Sequence, residues 1–166
     1  MSDPGPLIEP HIPALRRYAF ALLRDRDRAD DLVQDTLERA LSRWSSRRAD
    51  GDLRAWLFTI LRNLHVSVWR RDRLRGTAAE FDEVPGVAAQ QEARLEVHDV
   101  LVALDQLPEE QKSLLLLVGV EDFSYDDAAR ILGMPIGTVM SRLSRARQRL
   151  RAALETGKVT LLRRVK

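Results

Sequence analysis

The sequence predicts an all-α protein of two small helical domains joined by a flexible acidic linker, the second domain containing a helix-turn-helix. Three observations predict it. Apolar residues recur at spacings of three and four along most of the chain, the repeat that lines one face of a helix. No run alternates β-branched and polar residues as a half-buried strand would. Between Arg75 and Gln91 the segment GTAAEFDEVPGVAAQ loses the helical repeat, gains Gly76, Pro85 and Gly86, and turns acidic. The expected division is therefore 1–74, a linker over 75–91, a second domain over 92–155 and a basic tail over 156–166.

The first helix is expected over Leu7 to Leu23, with Pro10 and Pro13 delaying a regular start until about residue 13. Asp27 is placed to cap the next helix, Arg28 to Trp44, whose expected core side is Ala29, Val33, Leu37, Ala40, Leu41 and Trp44. Asp31, Asp35, Glu38 and Ser42 fall within about 60° of one another on a different side, an acidic stripe. The helix dipole accounts for Asp30 and Asp31 near the N-terminus, and accounts less well for Glu38.

After the turn-like segment Ser45–Asp52, a longer helix is expected from Leu53 to about Arg73 with Leu57, Ile60, Leu61, Leu64 and Val68 inward. Its other face mixes Trp56, Thr59, Arg62, Asn63, Val66, Trp69 and Arg70. Aromatic rings stack on unpaired bases while Arg and Asn supply hydrogen bonds to phosphates and base edges, so the mixture suits nucleic acid. Packing of the tryptophans against neighbouring helices is the structural alternative.

In the second domain a helix from about Glu92 to Leu107 leads to Pro108, expected at the first position of the next, EEQKSLLLLVGV, an apolar segment suited to the centre of a small core. Ser124 then caps a supporting helix that runs through Ala128, Ala129, Ile131 and Leu132. Ala129 is small where two helices must approach, Gly133 suits a left-handed turn, Val139 wedges between the helices and Thr138 caps the last helix. On that last helix Val139, Leu143, Ala146, Leu150 and Leu154 form the inward stripe. Met140, Ser141, Ser144, Arg145 and Gln148 point outward as base-reading candidates, and Arg142, Arg147 and Arg149 flank them to meet phosphates.

Charge supports this reading. The overall balance is only +2, but residues 74–107 carry two basic side chains against seven acidic ones, and from Thr138 onward nine basic residues face the single acid Glu155. Basic charge concentrated on one helix is the footprint of a phosphate-binding surface. Other chemistries find little support. The chain has no cysteine and three scattered histidines, so no thiolate or metal site, no cofactor and no catalytic residue is expected. Asp126 and Asp127 diverge by about 100° on a helix, and capping explains them. No apolar run of membrane-spanning or signal-peptide length occurs, so no membrane insertion and a cytoplasmic location are expected.

Four segments resemble, in order, the extracytoplasmic-function sigma factors, the two-domain initiation subunits of bacterial RNA polymerase. They are DDLVQDT from Asp30, AWLFTILRN from Ala55, LPEEQ from Leu107 and GTVMSRLSRAR from Gly137. The resemblance implies that Asp31, Gln34, Asp35 and Glu38 dock on the clamp coiled coil of the polymerase largest subunit. It implies that Asn63, Trp56, Thr59, Arg62, Val66 and Arg70, with Arg47 and Arg48 in the loop, open and read the −10 promoter element as unpaired bases. Thr138, Met140, Ser141, Arg142, Ser144, Arg145, Arg147, Gln148 and Arg149 would read the −35 element as duplex, near the polymerase flap. An anti-sigma factor is the further partner implied. The chain departs from the family at Met140 and Ser144, where many relatives carry a basic and a bulky residue, so the −35 sequence does not transfer.

Two other functions fit parts of the pattern. A sigma-like decoy that binds an anti-sigma factor without touching DNA would not need Arg142, Arg145, Arg147 and Arg149. A free-standing helix-turn-helix regulator would need dimer symmetry, and would not need the Asp31–Glu38 stripe.

Overall fold

The computed structural model describes residues 3–75 and 91–164, with side chains over 3–74 and 97–157. The expected linker falls, apart from its end residues Arg75 and Gln91, outside the described residues. Every regular element described is helical, and the chain divides into two compact units. The first holds α1 (Gly5–Ile8), α2 (Ile12–Leu23), α3 (Arg26–Ser42) and α4 (Leu53–Arg75). The second holds α5 (Gln91–Asp105), α6 (Glu109–Leu115), Tyr125–Ala128 of α7 (Tyr125–Leu132) and α8 (Ile136–Arg164).

In the first unit α2 packs on α3 and α4 on both. The prolines act as expected: a single 3-10 turn over Glu9–His11 separates α1 from α2, which becomes regular at Ile12. Asp25, not Asp27, caps α3: its carboxylate accepts from the Arg28 N–H at 3.2 Å, and Asp27 lies in the first turn. The earlier start is favourable because Asp25 adopts the extended backbone of a cap, whereas Asp27 is already helical.

Of the expected inward side of α3, Ala29, Val33 and Ala40 are buried and Leu37 is half-buried, and Leu32 and Thr36 join them. Leu41 lies one position past Ala40, about 100° round the helix, and is half exposed; Trp44 lies beyond the helix end. Thr36 is tolerated in the core because its hydroxyl donates to the Leu32 carbonyl at 2.7 Å.

α4 buries a wider arc than one stripe because two helices cover it. Leu57, Ile60 and Leu61 are buried as expected, Leu64 and Val68 only partly, and Phe58, Arg62 and His65 are buried as well. The Phe58 ring lies 5.3 Å from that of Tyr18 on α2, and Arg62 and His65 continue the Phe58 stripe at spacings of four and three. Arg28 of α3 and Asp72 of α4 are joined by an ion pair of 2.5 Å.

His11 connects this unit to pH. Its pKa lies below the ordinary 6.5, first because it is partly desolvated and then because Arg54 is near, with Asp52 opposing. A depressed histidine pKa means the unfolded chain binds more protons, so the contribution is complete above about 6.5 and is lost as pH falls below it. Urea midpoints followed by tryptophan fluorescence are expected to drop between pH 7.5 and pH 5.5, and His11→Gln is expected to flatten that drop. An unchanged pH slope in the variant would remove this role.

In the second unit α5 and α6 pack on α8. Pro108 precedes α6 as its N-cap, with an extended ψ of 147°, rather than occupying its first helical position. The apolar run is buried as expected: Leu114, Leu115, Leu116 and Leu117 are all inside, and the helix widens into a π turn over Leu116–Val120, where the Glu121 N–H reaches the Leu116 carbonyl. Gln111, Lys112, Ser113 and Glu121 are buried with them. Lys112 donates to Asp105 at 2.7 Å with side-chain exposures of only 8% and 16%, and the Ser113 hydroxyl donates to Glu109 at 3.2 Å.

Candidate nucleic-acid interface

The helix-turn-helix is assembled largely as its residues require. Ser124 caps α7, its hydroxyl accepting from the Asp127 N–H at 3.1 Å. Gly133 ends α7 at φ +65°, a left-handed conformation that costs glycine nothing and costs other residues a clash of Cβ. The small buried residue of α7 is Ala128, fully enclosed, while Ala129 is only half-buried. Thr138 does not cap α8. The helix begins at Ile136, with the Pro135 carbonyl accepting from the Val139 N–H, so Thr138 lies inside the first turn and its carbonyl receives the Ser141 hydroxyl. Proline at 135 explains the earlier start, since it has no N–H to satisfy and presents its carbonyl to the first turn.

Val139, Leu143 and Ala146 are buried, with Leu150 and Leu154 half-buried below them. Opposite this stripe Met140, Ser141, Ser144, Arg145, Arg147, Gln148 and Arg149 are all exposed, Met140 at 50%. Arg142 is partly covered and forms an ion pair with Glu110 of α6. That partner was missed because it lies 32 residues away, where no helical period points to it. α8 continues to Arg164, so most of the segment expected as a tail is helical.

In the first unit, the expected wet face of α4 divides. Asn63 and Arg70 are exposed and Val66 is half-buried. Trp69 is 43% exposed, with the Arg73 guanidinium 5.1 Å from its ring. Thr59 is half-buried and its hydroxyl donates to the Ala55 carbonyl at 2.8 Å. Arg62 is the correction: at 8% exposure it belongs to the core rather than to the solvent face, because α4 is covered on two sides. Trp56 meets Trp44 edge to face at 6.1 Å, and Arg47 lies 4.5 Å over the Trp44 ring while its Nη1 donates to the Arg48 carbonyl at 3.2 Å. Trp44, assigned by periodicity to the core, therefore joins the loop and α4 in one aromatic and cationic cluster. Arg48 is exposed and pairs with Asp50 at 3.6 Å.

The acidic stripe of α3 is exposed throughout: Asp31, Gln34, Asp35, Glu38 and Ser42 all face solvent, and the Gln34 amide reaches the Glu38 carboxylate at 3.4 Å. Asp31 and Asp35 rim a cleft of about 150 Å³ that Leu32, His65 and Val68 also line. Among the described residues no cluster of His, Asp and Glu could hold a metal, and no helix is long and apolar enough to cross a membrane.

Comparison with known proteins gives these faces a common context. A family model described as the sigma2 domain of PhyR matches residues 8–62, and one described as sigma-70 region 4 matches residues 98–150. The chain is 46% identical over 145 residues to the ECF RNA polymerase sigma factor EcfG of Rhodopseudomonas palustris, covering 86% of this chain and 80% of that protein. It is 34% identical over 162 residues to the ECF sigma factor SigL of Mycobacterium tuberculosis, covering 93% and 90%. Among solved structures, the sigma factor RpoE in complex with the anti-sigma factor NepR from Bartonella quintana superposes with a TM-score of 0.78 at 41% identity, covering 90% of this chain and 94% of that one. Two units helical in every described element, an intact helix-turn-helix and relatives matched over 80% and 90% of their length lead to one assignment: the chain belongs to the ECF RNA polymerase sigma factors.

Proposed function

We propose that this sigma factor grips a promoter at two places while docked on core RNA polymerase, with residues 1–74 serving the polymerase and the −10 element and residues 92–155 serving the −35 element. The observation that carries the proposal is the outward face of α8, where Arg145, Arg147 and Arg149 are exposed around Met140, Ser141, Ser144 and Gln148. Arg145 is suited to guanine O6 and N7 in duplex DNA, and Arg147 and Arg149 to the flanking phosphates. Arg142 would reach a phosphate only by leaving Glu110 or sharing it. Thr138, inside the first turn, is placed for a backbone phosphate through its N-terminal position.

At the −10 element, Asn63, Trp56, Thr59, Val66 and Arg70 with Arg47 and Arg48 form the surface for unpaired bases, and Arg62 supports it from within. Aromatic stacking favours the unpaired state, so binding energy there promotes melting. The exposed Asp31, Gln34, Asp35 and Glu38 suit the basic clamp coiled coil of the largest polymerase subunit. The RpoE structure contains an anti-sigma factor, which supports one as a partner here. The chain acts in the cytoplasm as an initiation factor, and makes or breaks no bond itself.

Run-off transcription with purified core polymerase on a library of genomic fragments tests this function. Transcripts from a restricted set of fragments are expected, and their absence with active core would overturn it. Arg145→Ala is expected to lower −35 selectivity by about 1–3 kcal/mol, one bidentate base contact, with core affinity unchanged. Equal loss of both would remove the base-reading role.

A second reading is a decoy that binds an anti-sigma factor and not DNA: the first unit matches the sigma2 domain of PhyR, and PhyR is solved as an anti-anti-sigma factor in complex with the anti-sigma factor NepR. A decoy has no use for the exposed arginines of α8.

A further inference from the structure

The outward face of α8 is not uniformly polar. Met140, half exposed, lies in a groove with Tyr125 from the start of α7, and Leu143, Ser144, Arg147, Gln148 and Arg151 complete the lining. The groove belongs wholly to the second unit. An exposed methionine gains nothing from water, and an aromatic neighbour gives it a second apolar wall. Ser144 follows Met140 by one helical turn and is small, so it leaves the thioether open on that side. Arg147 and Arg151 put positive charge on the same rim, which suits an apolar ligand carried on a polyanion rather than an apolar protein side chain.

We propose that Met140, backed by Tyr125, reads the 5-methyl group of a thymine in the −35 duplex. The thymine methyl is the only apolar group that a base pair presents in the major groove, and it separates T·A from the other pairs. Met140 stands in the second turn of α8, within the N-terminal half that a recognition helix inserts. The inference rests on α8 being the −35 reader and names a specificity determinant within that surface.

The test uses holoenzyme reconstituted from the full chain and core polymerase, with a promoter duplex selected from a randomised −35 pool. Each thymine of the selected element, on either strand, is replaced in turn by deoxyuridine, which keeps the hydrogen-bonding face and lacks the methyl. At one thymine, affinity is expected to fall about fourfold, the worth of one buried methyl group. Met140→Ala should bind the thymine and uridine duplexes equally, and Tyr125→Ala should reduce the difference. The proposal is overturned if no thymine shows a methyl effect, if the effect persists in Met140→Ala, or if the selected element contains no thymine. It is also overturned if Met140→Ala weakens only the binding of a protein partner. Selection that recovers no preferred duplex would overturn the −35 assignment of α8 itself, whereas a preferred but methyl-insensitive duplex would overturn the role of Met140 alone.

Discussion

An Asp35→Arg variant is expected to lose affinity for core RNA polymerase by about a hundredfold or more, because reversing a charge at a docked surface removes an attraction and adds a repulsion. Asp35 is exposed on α3, contributes nothing to the core of the first unit, and shares the rim of a cleft with Asp31. Arginine is at least as good a helix former as aspartate, so α3 should persist, and an unchanged circular dichroism spectrum would verify this. Fluorescence polarisation of the labelled chain titrated with core polymerase measures the loss. The wild-type affinity should also weaken with salt, since exposed charges are screened beyond about 8 Å at physiological ionic strength. Adding a positive charge at neutral Ser42, further along the same side, provides the graded comparison: Ser42→Arg should cost less. Unchanged affinity in Asp35→Arg would place the polymerase surface elsewhere on the chain.

The second large effect concerns stability. Asp105→Ala is expected to destabilise the second unit by about 3–5 kcal/mol, because it removes a carboxylate paired with a buried ammonium. Lys112 is 6% exposed on α6, which packs on α8, and its partner Asp105 is the last residue of α5. The paired replacement Asp105→Leu with Lys112→Met removes both charges and is expected to recover most of the loss. The tryptophans make the two units separable, since Trp44, Trp56 and Trp69 all belong to the first. Loss of helical circular dichroism at lower urea, with the tryptophan transition unmoved, is the expected signature. Coincident shifts of both signals would show that the pair stabilises the whole chain rather than one unit.

Long-period features of this protein were legible in its residues. Hydrophobic repeats placed α2, α4 and the start of α8 to within a few residues, and Ser124 and Gly133 marked the two ends of α7 because each satisfies a local backbone demand that few other residues meet. The exposed face of α8 was legible for the same reason, since a run with nine basic side chains and one acid cannot be packed inside. Boundaries were less legible where two capping residues competed. Asp25 and Asp27 are chemically alike, and which one caps depends on where the chain leaves α2, at an Arg24 held in the left-handed conformation at φ 58°.

The sequence by itself determined the helical class, the two-unit division, the helix-turn-helix and the charge of each outward face, because these follow from periodicity and local backbone chemistry. Only the tertiary structure decided that Arg62 and His65 lie inside, that Leu41 lies outside, that Trp44 joins Trp56 and Arg47, and that Glu110 holds Arg142. Each of those outcomes depends on which neighbours cover a helix and from how many sides. A single-helix period carries one inward direction, and α4, covered by both α2 and α3, has two.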